Sequence, residues 1–293
     1  MEGLGVITKL GALRSPIGLA AGYDKTGRYL DALAKLGFGY VVAGTFTLNR
    51  RIGHPRPRVA YRPKDLAVVN AMGMPNPGLR EAMRWLKRPR SNCRLVISLT
   101  GSTLDEIAEC YRLASTVADG IEVNISSPNF PSDGRLQERD FMSRLCGKLK
   151  PLRSKPTYLK IPPTKSEKEE ELIVDLVSGW VDAGFEGVTA VNALPIEAPE
   201  LAVGRGGLSG APLRRYMKST VELLRRELGG GFELNAVGGI MSGLDAAEAL
   251  KAGATTVQIY TAILYRGYRA PVLIAEEMKG LLTREVLSAV HNP

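Results

Sequence analysis

The sequence predicts an α/β fold, a single (β/α)8 barrel of the TIM type with long loops at its C-terminal face. Short apolar segments alternate about eight times with amphipathic helical segments along the 293 residues. Strands that alternate with helices pair in parallel, and eight such units without an intervening linker favour a closed barrel over an open sheet. We therefore expect residues 1–293 to form one domain.

The expected strands are short and apolar, as parallel strands buried on both faces usually are. The segments between them carry apolar residues at helical spacing, for example Leu172, Leu176 and Trp180 in segment 166–183. In chain order, the strands are expected at 17–21, 40–45, 95–99, 121–125, 157–161, 187–191, 232–237 and 256–263. The helices are expected at 26–36, 77–86, 103–117, 138–149, 166–183, 213–228, 244–252 and 271–282.

Two connections are too long to join a strand to a helix simply. They span residues 46–76 and 194–212, and each follows an expected strand. Long loops inside compact domains are usually functional, and loops that follow the strands of a barrel lie at its catalytic face. We therefore expect both segments to border an active site.

The composition excludes several classes of protein. No apolar run reaches the roughly 20 residues of a transmembrane helix, and the first residues do not resemble a signal peptide. Three cysteines without metal-ligand spacing and only two histidines argue against a disulfide framework, a metal site and a Ser-His-Asp triad. We expect reduced thiols, a cytoplasmic location and no metal centre.

The formal net charge of +9 has three explanations. A basic surface can bind nucleic acid, attract anionic small molecules or simply be solvated. No basic stretch is interleaved with aromatic residues, so charge alone does not favour nucleic acid. We predict neither a nucleic-acid partner nor a membrane partner.

Polar residues interrupt three of the expected strands near their C-terminal ends. Asn124 and Asn192 each end a strand, and Lys160 lies between apolar neighbours. A buried amide or ammonium is costly unless it has a partner, and one such residue could simply form a structural hydrogen bond. Three at the end of the barrel where enzymes place their sites favour an active site.

Glycine-rich segments follow the later strands. Gly238 and Gly239 end the seventh strand, and Ser242 or Gly243 could begin the next helix. Backbone amides and a helix N-terminus at this position often bind phosphate in barrels. Tyr260 and Thr261 near the end of the eighth strand would close the same site, and the glycine-rich segment 206–210 could cover a bound cofactor.

Together these segments resemble the dihydroorotate dehydrogenases over nearly the full length of the chain. Seven short motifs occur in the order and spacing of that family. They are Leu-Ala-Ala-Gly-Tyr-Asp-Lys at 19–25, Asn-Ala-Met-Gly-Met-Pro-Asn at 70–76, Asn-Ile-Ser-Ser-Pro-Asn at 124–129, Leu-Lys-Ile at 159–161, Gly-Gly-Leu-Ser-Gly at 206–210, Val-Gly-Gly-Ile at 237–240 and Tyr-Thr at 260–261.

The resemblance implies FMN at the barrel mouth, with dihydroorotate stacked on the flavin. The residues expected to contact FMN are Ala21, Gly22, Lys25, Thr45, Asn124, Lys160, Asn192, Ser209, Gly210, Gly238, Gly239, Tyr260 and Thr261. Those expected to hold the substrate are Lys25, Asn70, Met72, Gly73, Asn124, Asn129 and Asn192.

The resemblance also implies the reaction, the oxidation of dihydroorotate to orotate in de novo pyrimidine biosynthesis. A base removes a proton from C5, and C6 gives a hydride to flavin N5. The base position of the family motif is Ser127 here, although serine is a weak base without assistance. Lys160 would stabilise the anionic reduced ring.

Two classes of the family differ in features that this chain combines. Membrane-associated class 2 enzymes use serine as the base and carry an N-terminal helical extension, whereas soluble class 1 enzymes usually use cysteine. The chain begins almost at the barrel, and segments 51–58 and 70–76 resemble class 1. We therefore predict a soluble, class 1-like chain with a serine base. Ala193 stands where the family usually has Ser or Thr, and Phe130 where a smaller residue is common.

The sequence leaves partners and two alternative functions open. A homodimer or a complex with an iron–sulfur/flavin electron-transfer subunit is expected, and the electron acceptor could be fumarate, NAD or a quinone. A tRNA dihydrouridine synthase would share the flavin barrel, but no residues remain after 290 for its RNA-binding domain. The other alternative is an FMN subunit that depends on a second chain for activity.

Overall fold

The computed structural model describes residues 4–88, 93–126 and 140–291, with side chains in the last helix described up to residue 281. The strands are β1 (Val6–Thr8), β2 (Gly11–Leu13), β3 (Ile17–Leu19), β4 (Tyr40–Phe46), β5 (Val59–Arg62), β6 (Ala67–Asn70), β7 (Arg94–Leu99), β8 (Gly120–Asn124), β9 (Thr157–Ile161), β10 (Gly187–Ala190), β11 (Leu194–Glu197), β12 (Arg205–Gly210), β13 (Glu233–Val237) and β14 (Thr256–Ile259). The helices are α1 (Leu30–Ala34), α2 (Leu79–Leu86), α3 (Leu104–Ala114), α4 (Phe141–Leu149), α5 (Glu167–Asp182), α6 (Arg214–Leu228), α7 (Gly243–Lys251), α8 (Thr261–Arg266) and α9 (Ala270–His291).

Eight parallel strands close into a barrel, which confirms the predicted fold. Their order around the barrel is β3, β4, β7, β8, β9, β10, β13 and β14, and β14 pairs with β3 to complete the ring. Apolar residues on the outer side of these strands pack against the surrounding helices. Trp180 of α5, for example, is fully buried and donates a hydrogen bond from Nε1 to the Gly187 carbonyl at 3.0 Å.

The two long connections do not remain irregular. Strands from both join into one antiparallel sheet with the order β11-β12-β6-β5, so the excursion 46–76 pairs with the excursion 194–212. Asn70 of β6 lies opposite Gly207 of β12, and Ser209 Oγ donates to the Val68 carbonyl at 3.1 Å. Residues of this sheet border the cavity at the C-terminal ends of the barrel strands, as the sequence predicts.

The β1–β2 hairpin closes the opposite end of the barrel. Leu10 and Leu13 pack there against Tyr40, Val96 and Tyr158, which point into the barrel from the beginnings of their strands. This apolar plug leaves the C-terminal face as the open end.

Polar side chains continue into the middle of the barrel above this plug. Tyr40 Oη lies 2.7 Å from Thr256 Oγ1, and Thr256 Oγ1 donates to Asn235 Oδ1 at 2.6 Å. Asn235 Nδ2 in turn donates to Thr189 Oγ1 at 3.5 Å. These buried groups therefore satisfy one another.

The first helix is shorter than predicted because of Asp24. Its carboxylate accepts hydrogen bonds from the backbone amides of Thr26, Gly27 and Tyr29 at 2.8 to 3.0 Å. Side chains that bond to nearby backbone amides compete with helix formation. The helix expected from residue 26 therefore begins only at Leu30.

The last barrel strand is also shorter than predicted. It ends at Ile259, and the helix α8 begins at Thr261, so that Tyr260 belongs to neither element. The strand prediction for 256–263 was therefore wrong over its second half, where an apolar run cannot distinguish strand from helix. None of the helices within the described ranges combines the length and apolarity that a membrane span requires.

Candidate active site

A cavity of about 280 Å³ opens at the C-terminal ends of the barrel strands, beneath the four-stranded sheet. Of the predicted site residues that the structure describes, all but Gly73 line it. They are Ala21, Gly22, Lys25, Thr45, Asn70, Met72, Asn124, Lys160, Asn192, Ser209, Gly210, Gly238, Gly239, Tyr260 and Thr261. Predicted residues from every part of the chain therefore meet at one place.

Gly73 lies next to this group without lining the cavity. Its φ is +69°, and a Cβ added there would lie 2.5 Å from the backbone nitrogen of His54. The predicted substrate contact of Gly73 stays a prediction. Ser127 and Asn129 lie outside the described residues, and so does Phe130.

An amide and hydroxyl network forms the floor of the cavity. Asn192 Nδ2 lies 3.3 Å from Asn124 Oδ1 and 3.2 Å from Ser126 Oγ, and donates to both. Asn124 Nδ2 donates to Thr45 Oγ1 at 3.1 Å, and Thr45 shares a 2.9 Å hydrogen bond with Ser98. The network joins β4, β7 and β8 to the residues that follow β10, so it fixes the two amides predicted for cofactor and substrate.

Ser126 was not singled out from the sequence, although it belongs to the motif at 124–129. It is buried, and its hydroxyl donates to the Lys160 carbonyl at 2.9 Å while accepting from Asn192. Ser126 therefore ties the end of β8 to β9 immediately before Ser127 in the sequence.

Lys160 has a partner that the sequence analysis missed. Lys160 Nζ lies 3.6 Å from Glu122 Oε1, and the two side chains are only 5% and 1% exposed. Glu122 lies within β8, one inward position below Asn124. The only signal available in the sequence was a charged residue inside an otherwise apolar strand.

Lys25 provides a second ammonium group in the cavity wall. Its Nζ donates to the Gly22 carbonyl. Burial, and to a smaller extent the nearby Arg58 guanidinium, lowers the pKa of Lys25 to about 8, although Asp24 opposes the shift. The cavity therefore carries a lysine side chain that loses its proton near pH 8.

A glycine turn after β13 forms another side of the cavity. Gly238 has φ +118° and Gly239 has φ +77°, a region that L side chains rarely adopt. A Cβ at Gly239 would lie 2.4 Å from the backbone nitrogen of Arg214. Only glycine therefore lets the backbone take this path beside the cavity.

The helix N-terminus that was expected to bind phosphate is already occupied. Ser242 caps α7, as predicted, and the Asp245 carboxylate accepts from the amides of Met241 and Ser242, both at 2.9 Å. The Gly243 amide donates to Glu277 at 2.6 Å. An anion at this position would therefore depend on the turn Gly238–Gly239 and on the segment from Tyr260 to Thr261, which also line the cavity.

The outer wall of the cavity is apolar and was not predicted from the sequence. The sheet contributes Val59, Tyr61 and Val68, the loop after β6 contributes Met74, and α8 contributes Leu264. Val59, Tyr61 and Leu264 are 38%, 61% and 40% exposed, so the wall reaches the protein surface.

The residues of the cavity fit FMN, a flat polar ring system with a phosphate tail. Gln258 lines the cavity, and its Oε1 is buried without a hydrogen-bond partner within the described residues. Together with the amides of the floor and the two lysines, it offers polar groups to a ring. The glycine turn offers backbone amides to a phosphate. No group of His, Cys, Asp or Glu residues in the described part of the chain is arranged to hold a metal ion.

Comparisons with known proteins agree with this architecture. The family model described as dihydroorotate dehydrogenase matches residues 7–282. A dihydroorotate dehydrogenase (quinone) from Bordetella avium is 36% identical over 284 residues, which cover 90% of this chain and 80% of that protein. A protein of the same description from Chromobacterium violaceum is 36% identical over 282 residues, or 89% of this chain and 80% of its own.

Solved structures show the same fold. The crystal structure of DHODH in complex with ferulenol from Eimeria tenella gives a TM-score of 0.86 at 27% identity, covering 97% of this chain and 85% of that chain. The ligand-free structure from the same organism gives a TM-score of 0.86 at 28% identity, covering 96% and 88%.

Proposed function

The chain belongs to the dihydroorotate dehydrogenase family, and from this premise we propose how its cavity oxidises dihydroorotate to orotate. Members of the family are FMN-dependent oxidoreductases of pyrimidine biosynthesis, and so is this chain. The observation that carries the proposal is the convergence of Asn124, Lys160 and Asn192 with the turn Gly238–Gly239 on one cavity. Amides and an ammonium suit a carboxylate and a polar ring, and the glycine turn suits a phosphate.

The chain's own residues would hold the two ligands in the following way. Lys160 would contact the flavin, while Lys25, Asn124 and Asn192 would contact both ligands. The remaining contacts to FMN come from Ala21, Gly22, Thr45, Ser209, Gly210, Gly238, Gly239, Tyr260 and Thr261. The remaining contacts to dihydroorotate come from Asn70, Met72, Gly73 and Asn129.

Bound FMN supplies the acceptor for the hydride that leaves C6 of dihydroorotate. Ser127 removes the proton from C5, so that a carbon–carbon double bond forms and orotate results. A serine hydroxyl acts as a base only when a neighbouring group or the exclusion of water assists it. Ser126 supports this role, because its hydrogen bond to the Lys160 carbonyl fixes the backbone directly before Ser127.

We further propose a quinone as the oxidant that accepts the electrons from the reduced protein. The relatives from Bordetella avium and Chromobacterium violaceum are both named as quinone enzymes. The soluble, class 1-like interpretation, the cytoplasmic location, the homodimer and the iron–sulfur partner all stay predictions.

Anaerobic mixing of the purified, FMN-loaded chain with dihydroorotate tests the reaction. We expect the flavin absorbance to bleach without any second chain, and a soluble quinone analogue to restore it faster than fumarate or NAD. A flavin that stays oxidised would contradict activity of the isolated chain. Faster recovery with fumarate or NAD would contradict the quinone proposal and leave the dehydrogenase reaction standing.

Ser127→Ala tests the base. We expect the variant to retain FMN and to be reduced by dihydroorotate about 10²- to 10⁴-fold more slowly, the usual contribution of a positioned base. Ser219→Ala, at an exposed position of α6, is the matched control and should behave as the parent. An unchanged reduction rate in Ser127→Ala over a range of pH would exclude Ser127 as the base.

A further inference from the structure

Glu122 is a buried carboxylate that the reaction outlined above does not use. In the β8–β9 ladder it lies opposite Tyr158, while Asn124 lies opposite Lys160. Its neighbours Ile121 and Val123 belong to the apolar core around the barrel. Since side chains alternate along a strand, Glu122 points into the barrel, one layer deeper than Lys160.

The charge of Glu122 is directed at Lys160. Neither carboxylate oxygen of Glu122 makes a hydrogen bond within the described residues, and Lys160 Nζ lies 3.6 Å away. An ionised carboxylate that is buried to this degree requires a cation close by. Lys160 is the cation that forms an ion pair with it in the described part of the chain.

The other ionisable groups around Glu122 do not replace this cation. Burial raises the pKa of the Tyr40 and Tyr158 phenols well above the ordinary range, so both remain neutral. Glu233, the second carboxylate near them, accepts from the Tyr158 hydroxyl at 2.7 Å and from the Lys9 amide at 2.5 Å. Glu233 is thus satisfied at the closed end of the barrel, and Glu122 is left to Lys160.

We propose that Glu122 is a positioning residue that sets the reduction potential of FMN by partly neutralising Lys160. The inference rests on the proposed placement of FMN beside Lys160. An isolated ammonium in the cavity would stabilise the negative charge that FMN acquires on reduction. A carboxylate behind that ammonium makes the pair a dipole, whose field is weaker at the flavin than that of the ammonium alone. Glu122 therefore lowers the potential and favours transfer of electrons to the oxidant.

Substitution of Glu122 separates its charge from its shape. Glu122→Gln and Glu122→Leu remove the charge while keeping a side chain of similar size, and Glu122→Asp keeps the charge. The midpoint potential of bound FMN is measured by reductive titration against a reference dye, at the same pH for every variant. In both neutral variants the equilibrium constant for reduction of FMN should rise about tenfold, which raises the midpoint potential by about 30 mV for a two-electron couple. Glu122→Asp should stay close to the parent.

A double-mutant cycle with Lys160→Met tests whether Glu122 acts through Lys160. Lys160→Met should lower the potential, and adding Glu122→Gln in that background should change it much less, because the carboxylate then has no ammonium whose field it could weaken. Equal potentials in the parent, Glu122→Gln and Glu122→Leu would overturn the inference. So would a shift from Glu122→Gln that persists in full without Lys160.

Failure of the proposed function would look different. A parent chain that binds FMN but is not reduced by dihydroorotate would contradict the dehydrogenase proposal, while the potentials of the variants would still report on Glu122. FMN occupancy and thermal unfolding of each variant accompany the titration. A purely structural role of Glu122 would change these two readouts without changing the potential.

Discussion

At the scale of single residues, Lys25 makes the charge of the cavity depend on pH. Its ammonium contacts the Gly22 carbonyl, and burial together with Arg58 lowers its pKa to about 8 despite Asp24. Below that pH the group is charged and attracts an anionic substrate, whereas above it the neutral amine does not. The carboxylate of dihydroorotate would therefore bind best to the protonated form.

We expect kcat/KM for dihydroorotate to fall as the pH rises through about 8, since this parameter reports the ionisation of the free enzyme. Steady-state rates between about pH 6 and pH 10 measure the profile. Lys25→Met should lose this alkaline decline together with substrate affinity, and Lys25→Arg should keep its charge and move the decline to higher pH. A decline that survives unchanged in Lys25→Met would assign it to another group.

The polar residues of the site differ in how well the sequence identifies them. Asn124, Lys160 and Asn192 were identifiable because each violates the apolar pattern near the end of a buried strand. Glu122 and Gln258 were not, because their environment depends on which residues of other strands lie opposite them. The register of a barrel is not encoded in the spacing along one strand, so partners such as Glu122 and Lys160 become visible only in the structure. The roles of Ser127 and Asn129 stay predictions.

At the scale of elements, the two excursions matter because they pair with each other. Gly210 ends β12 opposite Ala67 of β6 and lines the cavity. Its φ is +95°, and an added Cβ would lie 2.2 Å from the Leu66 carbonyl oxygen. The close contact between the two excursions therefore requires glycine at this position, and the cavity wall depends on it.

Gly210→Ala should destabilise the four-stranded sheet and lower the affinity for FMN. We expect backbone strain to lower the free energy of unfolding by about 1–3 kcal/mol. The Tm and the fraction of flavin that stays bound after gel filtration should fall with it. Gly230→Ala is the matched control, because no atom lies within 4 Å of its added Cβ. A Gly210→Ala protein with the parent Tm and full FMN occupancy would show that the sheet tolerates the contact.

Element boundaries were predicted where local signals decide them and missed where side chains intervene. The helix α7 begins after Ser242 as expected, because a serine cap and Asp245 three residues later form a local signal. The start of α1 was placed four residues too early. The loop before it is held by hydrogen bonds from three backbone amides to the Asp24 carboxylate, and no sequence pattern indicates these bonds. The four-stranded sheet was missed as well, since its strands come from segments far apart in the chain.

At the scale of the whole molecule, the barrel contains two kinds of interior. Apolar residues fill the space between the strands and the helices. Inside the barrel, above the apolar plug, lie polar side chains that extend from Thr189 to Lys160 at the cavity floor. The repeated alternation of strands and helices was enough to predict closure of the barrel. Whether residues 1–293 fold as one cooperative unit stays a prediction.

FMN should act as a structural ligand for this arrangement, because its cavity is lined by strand ends, by both excursions and by α8. A ligand that binds only the folded state stabilises it by RT ln(1 + [L]/Kd), about 2.7 kcal/mol at a hundredfold excess over Kd. We expect the flavin-free chain to unfold at a temperature several degrees lower, and its Tm to rise with added FMN. Thermal unfolding at increasing FMN concentrations measures both effects.

Riboflavin separates the contribution of the phosphate from that of the ring. If the turn Gly238–Gly239 and the segment from Tyr260 to Thr261 bind the phosphate, riboflavin should raise the Tm less than FMN at equal concentration, because it lacks the group that those amides would bind. Gly239→Ala should bring the Tm increases given by FMN and by riboflavin closer together. The added Cβ would lie 2.4 Å from the Arg214 backbone nitrogen and displace the turn. Equal stabilisation of the parent by riboflavin and FMN would place the phosphate away from this turn. The ring contacts at the amide floor would then account for the binding.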